Sequence, residues 1–338
     1  MAILTNSTDF VGAGTNTWQQ YLKQAVRTAQ QLAELLEIPV DSICRSQAES
    51  EFPLLVPEPF LKRIQTGDSN DPLLLQVLPQ KEESIAIEGY SDDPLREQGF
   101  DRGAGVLQKY DGRALLVVNG SCAVHCRYCF RRSFPYSQSV DVGNKWKSAI
   151  ADLAADDTIE EVILSGGDPL TLVDAQFRSL VQRLEEVSHL QRLRIHSRLP
   201  IVIPQRVTDA LLEVFSETRF DVVFVIHSNH ANEFDGDVVD ACRRLSDVSE
   251  ALLNQSVLLR GVNDDLKSLM ELSRRLISSA VVPYYLHKLD PVAGAAHFEV
   301  SVERGVDLVN QMRASLPGYM VPRFVQEIPG RPNKTVLA

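Results

Sequence analysis

Apolar segments with β-strand character recur through the chain after residue 113, each followed by a helical pattern. The segments are Ala114–Val118, Glu161–Leu164, Leu193–His196, Asp221–His227, Ser256–Arg260 and Val281–Leu286. After the first unit they return about every 30 residues, the length of a βα repeat. Between them lie amphipathic stretches such as Leu172–Glu186, where Phe177, Leu180, Val181 and Leu184 follow the i, i+3, i+4, i+7 spacing of one helix face. Pro204 reads as the start of another helix. Six βα units require a parallel sheet, because only a crossover can return the chain to the same edge. The expected fold class is α/β, a partial six-unit barrel of the TIM-like kind. Residues 1–108 are expected to form a mainly helical accessory region, with one helix over Thr17–Leu36, and residues 109–338 the barrel.

A second pattern is laid over the first. Each strand candidate is followed at once by a polar, chemically capable cluster: SCAVHCRYC, SGGDP, HSR, HSNHANE, RGVNDD and HKLDP. In βα barrels the loops after the strands carry the active site. Loops are polar in any case, but glycines, histidines and acids at all six strand ends point to an enzyme.

Three of the five cysteines, Cys122, Cys126 and Cys129, fall within eight residues in a CxxxCxxC pattern. Without a basic n-region or an apolar h-region at the N-terminus, the expected location is the cytoplasm, with thiols reduced. The cluster then argues for metal rather than disulfides. Zinc needs a fourth ligand, His125 or a remote residue. An iron–sulfur cubane on three cysteines leaves one iron open to bind a small molecule. Three unrelated core thiols are the plain alternative. Composition narrows the partners. Thirty-four basic residues against 45 acidic ones give a net charge of −11, the wrong sign for a non-specific nucleic-acid or anionic-membrane binder. No apolar run approaches bilayer length.

The cysteine motif, SGGDPL, HSNHANE, LLRGVND, PYYLHKLD and the late PGRPNK together resemble the lysine 2,3-aminomutase family of radical S-adenosylmethionine (SAM) enzymes, over about Lys109–Lys334. Within it they are most similar to the branch that makes (R)-β-lysine for elongation factor P. The resemblance implies a barrel of radical SAM type. It implies a [4Fe–4S] cluster on Cys122, Cys126 and Cys129, with SAM near Tyr128, Ser165, Gly166, Gly167 and Asp168. Pyridoxal 5′-phosphate (PLP) is implied on Lys334, with Arg113 and Lys109 toward its phosphate. A lysine close to a chain end is otherwise read as a solvated tail residue.

Arg131 matches the arginine that grips the substrate carboxylate, a task for a planar two-pronged donor. Asp290 matches an acid paired with the lysine ε-ammonium. Glu327 stands where the family has an aspartate, one methylene longer. The implied substrate is L-lysine. The implied partners are an external one-electron reductant and a separate ligase that attaches the product to elongation factor P. Two other readings stay open: a fermentative or other amino-acid 2,3-aminomutase, and a non-catalytic iron–sulfur carrier or binding module. The acids Asp290 and Glu327 disfavour a glutamate substrate. The absence of cysteines after Lys334 is expected of the elongation factor branch.

Overall fold

A computed structural model describes residues 17–39, 52–136 and 146–338. Nine strands form one sheet in sequence order: β1 (Val106–Tyr110), β2 (Arg113–Asn119), β3 (Glu161–Gly166), β4 (Arg192–Ser197), β5 (Asp221–His227), β6 (Ala251–Val257), β7 (Val282–His287), β8 (Arg323–Gln326) and β9 (Thr335–Val336). β2 to β8 run parallel. β1 and β9 close the two edges antiparallel and do not pair with each other, so the barrel is partial. Each strand from β2 to β7 is followed by helix before the next, which makes the six expected βα units, and β8 extends the parallel run.

The helices cover the outer face of the sheet. Helix Asp174–Glu185 buries Phe177, Leu180, Val181 and Leu184. One apolar cluster runs from Trp18 and Leu32 through Leu164, Ile195 and Phe224 to Val281, so the described early residues share the core of the sheet. The inner face is different. Along β4, Leu193, Ile195 and Ser197 are buried, while Arg192, Arg194 and His196 alternate with them on the opposite face. A parallel strand covered by apolar packing on both faces would read as continuously hydrophobic. β4 instead gives the barrel a polar interior.

Three local expectations change. The helix over Thr17–Leu36 is two helices, Trp18–Lys23 and Ala29–Leu36. Between them Val26 exchanges both backbone hydrogen bonds with Val56, at 2.8 and 2.9 Å, and Thr28 caps the second helix by accepting from Gln31 N–H. Pro204 opens only a short turn, and the helix begins at Asp209 behind its cap Thr208. The sixth strand is Ala251–Val257 rather than Ser256–Arg260. Its polar centre hid it. Asn254 is buried on a strand because Ser228 and Ser256 satisfy its side-chain amide.

Candidate active site

The cysteine loop leaves the C-terminal end of β2 and is pinned by distant backbone. His125 N–H donates to Leu55 O (3.2 Å) and Arg127 N–H to Gln76 O (2.9 Å), both acceptors from the first 108 residues. Arg127 is fully buried, and it and Arg132 both bind Glu83. The SGGD loop after β3 supports the other side. Gly167 N–H donates to Asn119 O (2.8 Å) and Asp168 N–H to Ser121 O (2.7 Å). Gly166 has φ +122°, and a Cβ on Gly167 would sit 2.3 Å from Ser121 O. These glycines are dictated by the approach of the chain's own cysteine loop. The Asp168 carboxylate is spent locally as well. It accepts from Ser197 Oγ and from the backbone N–H groups of Leu170, Arg198 and Leu199, at 2.8–3.0 Å. Burial nevertheless pushes its pKa up to about 6.

The three thiols lie close enough to oppose one another's ionisation. Burial first, then its neighbours Cys129, Asp168 and Cys126, raise Cys122, while burial and Cys126 push Cys129 up to about 11. A centre that takes them as thiolates must therefore bring positive charge. Among the described residues, no three His, Cys, Asp or Glu side chains converge on one ion. A cubane asks for no such convergence, because each thiolate meets a different iron. Three thiols from one loop suit a cubane with one iron left open, whereas a structural zinc takes four protein ligands.

Beside the cysteines stands a buried polar network that sequence reasoning did not assign. Arg198 donates through Nη1 to Cys126 Sγ and Tyr128 Oη, both at 2.7 Å, and through Nη2 to Gln76 Oε1 (2.7 Å) and Glu233 Oε2 (3.1 Å). Asn229 Nδ2 donates to Tyr128 Oη (2.7 Å) and Gln76 Oε1 (2.9 Å). Asn263 anchors Asn229 O and Val257 O, each at 3.0 Å. Arg198, Asn229, Glu233 and Asn263 all belong to polar clusters visible at the strand ends, whereas Gln76 had no local signal. The Tyr128 ring packs on the apolar group of Leu259, Val262 and Phe298, meeting the Phe298 ring edge-on.

Deeper in the barrel, charges alternate along a chain of contacts. Arg131 grips Glu97 through Nε (2.7 Å) and Nη2 (2.9 Å), and its Nη1 donates to Ser165 Oγ (3.0 Å). Lys109 Nζ lies 3.1 Å from Glu97 Oε1 and 3.3 Å from Glu327 Oε1. Glu327 in turn pairs with Lys334, which sits on the turn between β8 and β9. Burial alone would raise Glu327, but Lys334, Lys109 and Tyr110 hold it near 2. Burial, helped by Glu327, outweighs the pull of Lys334 and Lys109 and pushes Asp290 up to about 7. Thus Lys109, Asp290, Glu327 and Lys334 come together, as do Arg131 and Ser165. Arg113 lies at the other end of β2 from the cysteine loop and stacks 4.5 Å over the ring of Tyr110, the tyrosine that bonds Glu327.

His196, His227 and His287, on β4, β5 and β7, each bury an Nε2 that has no hydrogen-bond partner among the described residues. Burial lowers all three pKa values, His227 to about 4, so the rings are neutral. His196 feels both Lys334 and Arg131. Orphaned polar atoms at such a place need polar partners, which a phosphorylated cofactor and an amino-acid substrate both offer. No described helix is long and apolar enough to cross a membrane.

Residues 103–195 match a family model described as a 4Fe-4S single cluster domain. Over 322 residues the chain is 45% identical to the L-lysine 2,3-aminomutase of Haemophilus influenzae, covering 95% of both proteins. It is 44% identical to that of Escherichia coli, covering 95% of this chain and 94% of the relative. The L-lysine 2,3-aminomutase of Clostridium subterminale is 32% identical over 97% of this chain and 79% of its own length. Similarity of that degree along nearly the whole sequence, on a barrel with its thiols at one strand end, means that the chain belongs to the lysine 2,3-aminomutase family of radical SAM isomerases, whose cofactors are a [4Fe–4S] cluster, SAM and PLP.

Proposed function

We propose that this enzyme converts L-lysine to (R)-β-lysine, which a separate ligase then attaches to elongation factor P. The bound cofactors supply a carbon radical and a nitrogen-anchoring aldehyde, which the unactivated β C–H bond of lysine requires. The protein's task is to hold the parts and exclude water. Cys122, Cys126 and Cys129 carry the cluster, and Tyr128 with the SGGD loop borders SAM. Lys334 anchors PLP, with Arg113 and Lys109 toward its phosphate. Arg131 takes the substrate carboxylate, while Asp290 and Glu327 take the ε-ammonium. Residues 1–108 act as an accessory region that braces the cysteine loop through Leu55 and Gln76. An external one-electron donor reduces the cluster, and the enzyme works in the cytoplasm.

The observation that carries this reading is the charge order of the interior: a guanidinium at one end, two acids at the other, and Lys334 against one of them. Lys334 would hold the cofactor's aldehyde, and Glu327, its partner here, would then be available to a substrate ammonium.

The test is anaerobic turnover of the reconstituted enzyme with L-lysine and chiral separation of the product. (R)-β-lysine supports the proposal. The (S) isomer moves the enzyme to the fermentative branch, and 5′-deoxyadenosine without β-lysine removes lysine as substrate. A Cys126→Ala protein that kept its cluster and its turnover would overturn the radical chemistry itself.

A further inference from the structure

Glu97 is a buried acid that neither the strand-end clusters nor the family resemblance pointed to. It begins a short turn, Glu97–Phe100. Two features build that turn. Arg96 before it adopts left-handed φ 51°, an unfavourable conformation for a residue with a side chain. Asp93 then accepts from Glu97 N–H at 2.8 Å. The residue is 3% exposed. Burial would raise its pKa, but Arg131 and Lys109 hold it at about 2, so it is a carboxylate at any working pH.

Its contacts divide the Arg131 guanidinium. Of the five N–H donors of an arginine, one on Nε and one on Nη2 go to Glu97, and one on Nη1 goes to Ser165 Oγ. One N–H on Nη1 and one on Nη2 remain, enough to meet a second carboxylate. The same Glu97 oxygen that takes Nη2 also takes Lys109, and Lys109 reaches Glu327. A buried chain of alternating charges therefore joins the group facing the substrate's α-carboxylate to a group facing its ε-ammonium.

We propose that Glu97 is a positioning residue for substrate recognition. It fixes which edge of Arg131 is offered to the carboxylate and, through Lys109, ties that edge to Glu327. The pocket is thereby set for a zwitterion of lysine's length. This rests on the reading of Arg131 as the carboxylate-binding residue.

The experiment uses the holoenzyme and two ligands: L-lysine as substrate, and 1,5-diaminopentane, which lacks the carboxylate, as competitive inhibitor. Glu97→Gln should raise the KM for lysine about tenfold or more, the worth of a charged hydrogen-bonded contact, with kcat within about threefold. The Ki of 1,5-diaminopentane should stay within about twofold. Glu97→Asp, which keeps the charge on a shorter stem, should recover part of the KM. Arg131→Gln should raise KM in the same way. Equal weakening of both ligands, or a fall in kcat at unchanged KM with a lowered melting temperature, would reduce Glu97 to a structural ion pair. If Arg131→Gln raises KM and both Glu97 variants bind lysine normally, the positioning role is wrong and the reading of Arg131 stands. If Arg131→Gln leaves KM untouched, both fall.

Discussion

One guanidinium nitrogen, Nη1 of Arg198, lies 2.7 Å from both Cys126 Sγ and Tyr128 Oη. A donor from the β4 loop is thereby directed at a proposed cluster ligand and at the residue two places on. Hydrogen bonds to cluster sulfurs tune reduction potential. Arg198→Met should make the cluster harder to reduce, so its midpoint in an EPR-monitored titration should become more negative. The variant also leaves Glu233 buried without its cation, and breaking such a pair costs about 3 kcal/mol or more. A normal midpoint in a folded Arg198→Met protein would show that this contact does not tune the centre.

Gly167 allows no side chain. A Cβ there would stand 2.3 Å from Ser121 O and 2.8 Å from Gly120 C, both backbone atoms that cannot swing aside. Gly167→Ala should displace the cysteine loop, at a cost of about 2–3 kcal/mol, and lower the iron bound per chain. Thermal melts with iron analysis check it. Full iron content at an unchanged melting temperature would refute the steric argument.

Acid and base limits follow from the interior carboxyls. Asp290 titrates near 7 against an ordinary 3.8, with burial as the main cause. Its folded value is raised, so the native state holds the extra proton between those values. Its contribution to stability is full below about 3.8 and is lost as pH rises through 7. Its negative charge for an ammonium appears only above that point. The kcat/KM for lysine should therefore climb through about pH 7, and Asp290→Asn should remove that limb. Glu97 and Glu327 behave oppositely. Held near 2 against 4.5, they stabilise above 4.5 and lose that stabilisation as the pH falls toward 2. A pH–rate profile that keeps its limb in Asp290→Asn assigns the titration elsewhere.

Lys334, the proposed PLP anchor, allows the two cofactor systems to be tested apart. It lies on the turn before β9, far along the chain from the thiols and half-buried. Lys334→Ala should abolish the visible absorbance of lysine-bound PLP and all turnover while leaving iron content and melting temperature near normal. Loss of iron together with PLP would mean that the β8–β9 turn supports the cluster, which no contact described for Lys334 suggests.

Much of this molecule is written in local pattern. The continuous apolar run along β5 and the 3.6 period along Asp174–Glu185 depend only on neighbours in sequence, so strands, helices and the α/β class were readable. The CxxxCxxC spacing and the polar strand ends were equally local. Where local pattern conflicted with tertiary contacts, reading failed. Asn254 and Ser256 masked β6 because their hydrogen bonds run to Ser228, just past the end of the neighbouring strand β5. Val26 broke a helix because its partner is Val56.

The sequence by itself determined the βα repeat and the thiol cluster, and its family resemblance named the candidate lysine. Only the tertiary structure decided which charges meet: Glu97 with Arg131 across 34 positions, Arg198 with Cys126 across 72, and Arg198 with Gln76 across 122. The reason is physical. A buried charge is stable only beside its partner. Which partner that is depends on strand register and on how loops from different units fold over one end of the barrel, information that no stretch of sequence holds alone.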